Sequence, residues 1–230
     1  MAPIIQLQNE NDIKYAVQKA AEVLRNGGII ALPTDTIYGV STLVKHSEKI
    51  YQLKQRPHEK PLGLFQRPHE KPLGLFVANF DQIEKFSNVT VPSSLLQKLL
   101  PGPLTLIFQR SAALSNDFNP TTSNVGIRIP QQKFVQLLCQ EFPNQPITQT
   151  SANLSGTPES PLCIEDFKNL WPSLDLIIDA GPIIQNQGNR NGSTIVDLSV
   201  KGKYKIVREG CAKDQTVKIL KIYGLKEMHD

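Results

Sequence analysis

Apolar residues recur at three- and four-residue intervals over 12–26, where Ile13, Ala16, Val17, Ala20, Val23 and Leu24 fall on one side of a helix. Asn11 and Asp12 stand before it as N-cap candidates, and Gly27 with Gly28 ends it. The period then changes. Ile29, Ile30, Ala31 and Leu32 form a short continuous apolar run closed by Pro33, the pattern of a strand buried on both faces, which delivers the polar turn 34–39 at its carboxyl end. The same reasoning predicts helices over 47–54, 81–86, 92–100, 133–141 and 164–170, and strands over 104–108, 125–129, 147–150, 176–178, 193–198 and 205–207. Helices and strands alternate early while the last strands follow one another, so the expected fold is α/β with a twisted mixed sheet flanked by helices.

Composition narrows the class. With 230 residues, 40% of them hydrophobic, the chain supplies the core of one domain over 1–230 without a covalent staple. Cys139, Cys163 and Cys211 are odd in number, far apart and without a C-x-x-C pair, which argues against a disulfide framework or a thiolate zinc site and for a reducing, cytoplasmic setting. No run approaches the roughly 18 apolar residues of a membrane span. Residues 1–10 lack the basic start of a secretion signal, so neither secretion nor membrane insertion is expected. The formal charge is +4, from 25 Lys and Arg against 21 Asp and Glu, and no polybasic block gathers it. Direct nucleic-acid binding therefore does not lead, although a few converging cations could hold a small anion.

One feature departs from ordinary domain sequences. The 11 residues 55–65 (QRPHEKPLGLF) recur unchanged at 66–76. A tandem duplication of this kind is not a solenoid, which needs longer units and at least about three of them. Lys54 precedes only the first copy and Val77 follows only the second. The expectation is that the first copy keeps the native path as far as Arg56 and that the surplus 11 residues are extruded before Val77, because loop closure costs little more as a loop lengthens; the alternative is that the second copy takes that path, bringing Arg67 and Lys71 in and displacing Lys54.

The familiar nucleotide and nucleophile motifs are missing: G-x-x-x-x-G-K-[ST], G-x-G-x-x-G after a strand, H-E-x-x-H and G-x-S-x-G do not occur. What remains is a set of short polar clusters at the ends of predicted strands: Thr34 to Thr36, Arg128, Thr150 to Asn153, and Ser193 with Thr194. In an open α/β sheet ligands sit beyond strand ends, so hydroxyls, an amide and an arginine converging there would make a polar pocket. Each also has a plain structural reading: Thr34 as a turn residue, Ser151 and Asn153 as a helix cap, Arg128 as a surface strand cation. Lys54 and Arg56, with Lys60 and Lys71 in the two copies, concentrate positive charge at a helix end; they could hold phosphates or merely complement the helix dipole. Arg208 is a further cation at a strand end.

Taken in chain order, Pro33 to Thr36 with Tyr38 and Gly39, Lys54 to Arg56, Leu100 to Thr105, Gly126 to Pro130, Thr150 to Ser155, Gly192 to Thr194, and Val207 with Arg208 closely resemble the YrdC/Sua5 family, the threonylcarbamoyl-AMP synthases of tRNA modification. The resemblance extends over about 12–210 and looks most like the short animal members. It implies a concave basic cavity and a reaction of L-threonine, bicarbonate and ATP that gives threonylcarbamoyl-AMP and pyrophosphate. Matching the family's polar tetrad makes Lys54, Arg56, Ser151 and Asn153 the catalytic group. ATP would meet these four with Asn124 and Arg208. Threonine would meet Thr34, Arg128 and Ser193. Magnesium would arrive with ATP rather than in a protein cage. The implied partner is the complex that transfers threonylcarbamoyl to tRNA, with at most a weak contact to tRNA itself; a mitochondrial pool would need a longer form.

Two rivals stand beside this reading: a non-catalytic RNA-binding module with the same fold, and a carbamoyltransferase domain of the hydrogenase-maturation kind, whose zinc-finger and acylphosphatase regions are absent from this sequence. Deleting 66–76 runs Lys54 and one copy of the repeat directly into Val77, which resembles the family pattern. The deletion variant is expected to melt no lower than the parent and to keep or gain synthase activity. A variant that aggregates or loses its melting transition would show that both copies belong to the fold.

Overall fold

Along a strand, side chains alternate between the two faces of a sheet, and here the strands around 30–32, 74–76 and 176–179 spend both sets on apolar cores. The computed structural model describes residues 2–54, 72–154, 159–184 and 191–228. Among them a 12-stranded mixed sheet is built from β1 (Ile4–Gln6), β2 (Ile30–Leu32), β3 (Gly39–Ser41), β4 (Gly74–Phe76), β5 (Ser87–Asn88), β6 (Leu104–Arg110), β7 (Asn124–Arg128), β8 (Ile147–Ser151), β9 (Leu176–Asp179), β10 (Thr194–Asp197), β11 (Lys203–Arg208) and β12 (Lys226–Glu227). Their spatial order is β1-β9-β2-β3-β8-β4-β7-β6-β10-β11-β12, with β5 on β6. Pairing is parallel for β4 with β7 and β6 with β10, and antiparallel for β2, β3, β8 and β4 in succession and for β6 with β7. The mixed α/β sheet expected from the sequence is the observed one.

Six α-helices flank it: α1 (Glu10–Arg25), α2 (Glu48–Leu53), α3 (Phe80–Phe86), α4 (Ser93–Leu99), α5 (Lys133–Gln140) and α6 (Lys213–Ile222). Ala16, Ala20 and Leu24 of α1 and Phe134 and Leu138 of α5 share one core with Ile30, Leu32, Leu176 and Ile178. The intervening Ala31 and Ile177 point into the other core, with Leu75, Leu106 and Ile127. Each leucine, isoleucine or phenylalanine among these, removed from water, contributes about 1.5–3 kcal/mol before the entropy cost of ordering it.

Several elements differ from expectation. Helix α1 starts at Glu10 and its cap is Asn9, not Asn11 or Asp12: Asn9 Oδ1 accepts from the backbone N–H groups of Asn11 (2.9 Å) and Asp12 (3.1 Å), and Asp12 Oδ2 accepts in return from Asn9 N–H (3.1 Å). Asp12 is thus the third residue of a capping box, which displaces the start toward the N-terminus. The segment expected as a helix over 164–170 is a 3-10 helix (Ile164–Ser173) interrupted at Phe167. Strands β3 and β4 are three residues each and gain their extended form from neighbours on both sides, which period alone does not show.

Strand β4 corrects the reading of the repeat. It is Gly74 to Phe76 of the second copy, and Leu73, Leu75 and Phe76 are buried, so this apolar end is neither extruded nor in need of cover. Lys54 nevertheless remains at the end of α2, its N–H on the Ile50 carbonyl at 2.9 Å. The native path therefore leaves through the first copy's flank and returns in the second, and the surplus lies within 55–71, outside the described residues. Because the copies are identical, removing either one yields the same chain, and the deletion test stands.

Asn119 joins the two flanks. Its Oδ1 accepts from Tyr51 Oη in α2 (2.5 Å) and from the Leu73 N–H (2.9 Å), while Nδ2 donates to the Leu73 carbonyl (2.8 Å). It does so from a left-handed backbone at φ 49°, a conformation that asparagine tolerates better than most residues. Asn119→Gly, which keeps that backbone but loses three hydrogen bonds, is expected to destabilise the protein by roughly 2–4 kcal/mol in urea unfolding. Asn119→Ala should cost about 1 kcal/mol more for the strained backbone. A loss below about 0.5 kcal/mol in Asn119→Gly would show that the Leu73 amide finds other partners.

Candidate active site

Lys54 is 1% exposed, and a buried ammonium must be met by fixed oxygens. Its Nζ donates to the Ser151 carbonyl (2.6 Å), to Asn153 Oδ1 (3.0 Å) and, at a longer 3.4 Å, to Ser151 Oγ. Ser151 Oγ in turn donates to Asn153 Oδ1 at 2.6 Å, and Asn153 Nδ2 donates to the Glu159 carbonyl at 3.2 Å. Three of the four residues expected as the catalytic group therefore form one hydrogen-bonded cluster; the fourth, Arg56, lies outside the described residues. Among the described residues the helix-cap reading of Ser151 and Asn153 finds no support: Ser151 ends β8, and side-chain bonds of the two residues run to each other, to Lys54 and to the Glu159 carbonyl.

Arg128 closes β7 and is also 1% exposed, so it is not a surface cation. Its NH2 donates to Asp35 Oδ1 and to Thr36 Oγ1 (3.0 Å). Burial pulls the guanidinium below its ordinary pKa and Asp35 opposes that shift. Thr34 sets the loop that brings Asp35 and Thr36 there. Its Oγ1 accepts from the N–H groups of Thr36 (3.1 Å) and Ile37 (3.2 Å) and donates to the Ile37 carbonyl (2.7 Å). Thr34 thus fills the turn role. Further along the loop, Tyr38 is buried, with Oη donating to the Gly181 carbonyl (2.8 Å) and accepting from Ala180 N–H (3.0 Å).

Ser193 and Arg208 make a third group. Arg208 NH2 donates to Ser193 Oγ (3.0 Å) and to its carbonyl (2.7 Å), and Ser193 Oγ also contacts Thr105 Oγ1 at 2.9 Å. Burial lowers the Arg208 pKa, and the charge of Arg128 lowers it further, which puts the two guanidiniums in electrostatic contact. Gly210 holds this corner: a Cβ there would stand 2.3 Å from Thr194 N. The charges of Arg128, Asp35 and Arg208 all bear on the Cys211 thiol, although burial is the largest cause of its raised pKa.

Strand register places these groups relative to one another. Phe76 pairs with both Arg128 and Ile147, and Gly74 with Gln149, so Arg128, Gly74 and the alternate residues Ile147, Gln149 and Ser151 share one face of the sheet. Gly39, paired with Ser151, and Gly126, two residues before Arg128, share it too. At three glycines this face has no room for a side chain. A Cβ would stand 2.9 Å from the Thr150 carbonyl oxygen at Gly39, 2.9 Å from Gln149 Oε1 at Gly74 and 3.0 Å from Thr105 Cγ2 at Gly126. Arg128 and Ser151 are on the same face but at opposite strand ends, bridged by the loop from Thr34 to Gly39. Asn124 opens β7, about 13 Å from Arg128 along the strand. Carrying the register two residues past Gly74 sets Asn124 level with Ser151 and two strands away, about 10 Å. It therefore belongs to the Lys54 edge.

The residues that sequence reasoning passed over are Asp35, Thr36 and Thr105. Asp35 and Thr36 sit inside a recognised motif, but nothing in their spacing says which long-range cation they meet. Among the described residues no three His, Cys, Asp or Glu side chains gather to hold a metal ion. A surface depression lined by Arg25, Glu141 and Phe142 contains none of the site residues, and its Arg25 is already paired with Glu141 at 2.6 Å.

Comparison with known proteins bears on what this face serves. A Sua5/YciO/YrdC family model, described as "Telomere recombination", matches residues 22–66 and 64–210, the two stretches overlapping inside the repeat. The threonylcarbamoyl-AMP synthase of Bos taurus is 44% identical over 219 residues, covering 93% of this chain and 75% of the relative. That of Homo sapiens is 43% identical over 220 residues, covering 93% and 74%. Among solved structures, P. abyssi Sua5 complexed with L-threonine matches with a TM-score of 0.77 at 25% identity, over 99% of this chain and 62% of that one. E. coli YciO matches in fold, with a TM-score of 0.76 at 23% identity over 93% of this chain and 98% of that one. From the family model and the mammalian relatives together, the chain belongs to the Sua5/YciO/YrdC family.

Proposed function

We infer that this chain is a threonylcarbamoyl-AMP synthase, a transferase of tRNA modification that forms threonylcarbamoyl-AMP and pyrophosphate from L-threonine, bicarbonate and ATP. The observation that carries the reading is the pair of buried cations, Lys54 held by the Ser151 carbonyl and Asn153 Oδ1 and Arg128 held by Asp35 and Thr36. The names of the mammalian relatives support it. The P. abyssi complex, whose ligand is an amino acid, favours it over an RNA-binding module.

In this reading the threonine nitrogen, as the free amine, adds to the bicarbonate carbon and water leaves, giving a carbamate. One carbamate oxygen then attacks the α-phosphorus of ATP, and the bond from that phosphorus to the bridging oxygen breaks to release pyrophosphate. No side-chain nucleophile is needed. Negative charge accumulates on the departing phosphates, and a preorganised ammonium in a dry site stabilises it without reorganising. Lys54 has that character, and Ser151 and Asn153 hold it in place. Arg56, Asn124 and Arg208 complete the ATP contacts, while Arg128, Thr34 and Ser193 take threonine. Magnesium would arrive bound to ATP and neutralise part of its phosphate charge. The concave basic cavity that the family implies would lie along the sheet face that carries Ser151 and Arg128. The product then passes to the complex that transfers threonylcarbamoyl to tRNA, with only a weak direct tRNA contact. No described helix is long and apolar enough to cross a membrane, and the proposed setting is the cytoplasm, with a mitochondrial pool only through a longer form.

Incubation with ATP, magnesium, bicarbonate and labelled threonine is expected to yield labelled acyl adenylate and pyrophosphate in equal amounts; pyrophosphate without threonine dependence would contradict the assignment. Lys54→Ala should lower kcat by roughly 100- to 1,000-fold with a smaller change in threonine KM. Arg128→Lys keeps a charge beside Asp35 but loses the planar fork, and should raise threonine KM roughly ten- to a hundredfold with a smaller change in kcat. Steady-state kinetics in which both variants shift the two constants alike would show these roles to be misassigned.

A further inference from the structure

An arginine and a carboxylate buried together commonly close two parallel N–H···O bonds. The Arg128 and Asp35 pair does not. Arg128 NH2 meets Asp35 Oδ1, yet Arg128 Nε and Asp35 Oδ2 are both buried without a hydrogen-bond partner. The two side chains are only 2% and 5% exposed, so solvent does not compensate. Leaving such groups unmet is costly, and native structures retain them chiefly where something else binds. Here the leftovers are one donor on the cation and one acceptor on the anion of the same ion pair.

We propose that Asp35 is a substrate-binding residue, its free Oδ2 receiving the α-ammonium of the amino acid whose carboxylate lies on Arg128. A zwitterionic head group presents an anion and a cation two bonds apart and satisfies both vacancies at once; an inorganic anion, a hydroxy acid or a phosphate satisfies only the arginine. Local charge points the same way. Arg128 and Arg208 outnumber the single carboxylate, so the corner attracts the substrate carboxylate but repels an ammonium everywhere except beside Asp35. The turn set by Thr34 fixes the backbone on either side of Asp35, which preorganises the acceptor. This inference rests on the threonine reading above and adds the ammonium contact to it.

The test compares two ligands by calorimetry on the full chain: L-threonine, and (R)-3-hydroxybutyrate, which keeps the carboxylate and hydroxyl but lacks the ammonium. The unaltered protein should bind threonine more tightly by roughly tenfold or more, the value of a charge-assisted hydrogen bond. In Asp35→Asn the threonine affinity should fall roughly ten- to a hundredfold while the hydroxybutyrate affinity changes by less than about threefold. Equal weakening of both ligands would mean that Asp35 acts only by holding Arg128, and would overturn the proposal. Equal affinity for both ligands in the unaltered protein would overturn it too, whether or not the variant folds. Binding of neither ligand to the unaltered protein would instead remove the threonine reading itself, and the proposal with it.

Discussion

Taking a full charge out of water costs several kcal/mol even after the surroundings relax, and the cost is met only if oxygens are already in place around it. Lys54 and Arg128 are among the largest fully buried side chains of this protein. Much of the local architecture follows from that. The end of β8 supplies a carbonyl, a hydroxyl and an amide oxygen to Lys54. The loop between β2 and β3 supplies a carboxylate and a hydroxyl to Arg128. That loop is tied at its start by Thr34 and near its end by Tyr38, and the Tyr38 carbonyl accepts from Ala152 N–H at 3.0 Å. One short segment thus fixes both cations relative to each other.

Close packing is the complementary constraint. On the face where Ser151 and Arg128 lie, Gly39, Gly74 and Gly126 have no room for a side chain, because a Cβ would meet the Thr150 carbonyl, Gln149 Oε1 and Thr105 Cγ2. Gly74 belongs to the repeated segment, so the duplication touches the site directly. Asn119 limits the damage by binding Tyr51 and Leu73, one on each side of 55–71. The helix that presents Lys54 and the strand that carries Gly74 are therefore joined through a third element, independently of how many residues connect them.

The sequence made α1, β2, β6, β7, β8 and β9 legible because each has its own apolar period or run. Strands β3 and β4 were not, since a three-residue strand owes its conformation to the ladders on either side. Lys54, Ser151 and Asn153 could be grouped before the structure only through the ordered family motifs; their spacing across about a hundred residues carries no geometric information. Arg128 showed the limit most clearly. A cation at a strand end reads equally well as exposed or buried, and its burial depends on Asp35, 93 positions away. Asp35 itself was passed over because a lone carboxylate in a turn has an ordinary role as a turn residue.

In the proposed function the two preorganised cations, Lys54 and Arg128, act on the two ends of a single reaction complex. A crystal structure of the protein with L-threonine and a non-hydrolysable ATP analogue is the measurement that decides it. The expected result is the threonine carboxylate against Arg128 and the analogue's phosphates toward Lys54. Ligands bound on the opposite face of the sheet, or phosphates on Arg128 with Lys54 unengaged, would contradict it.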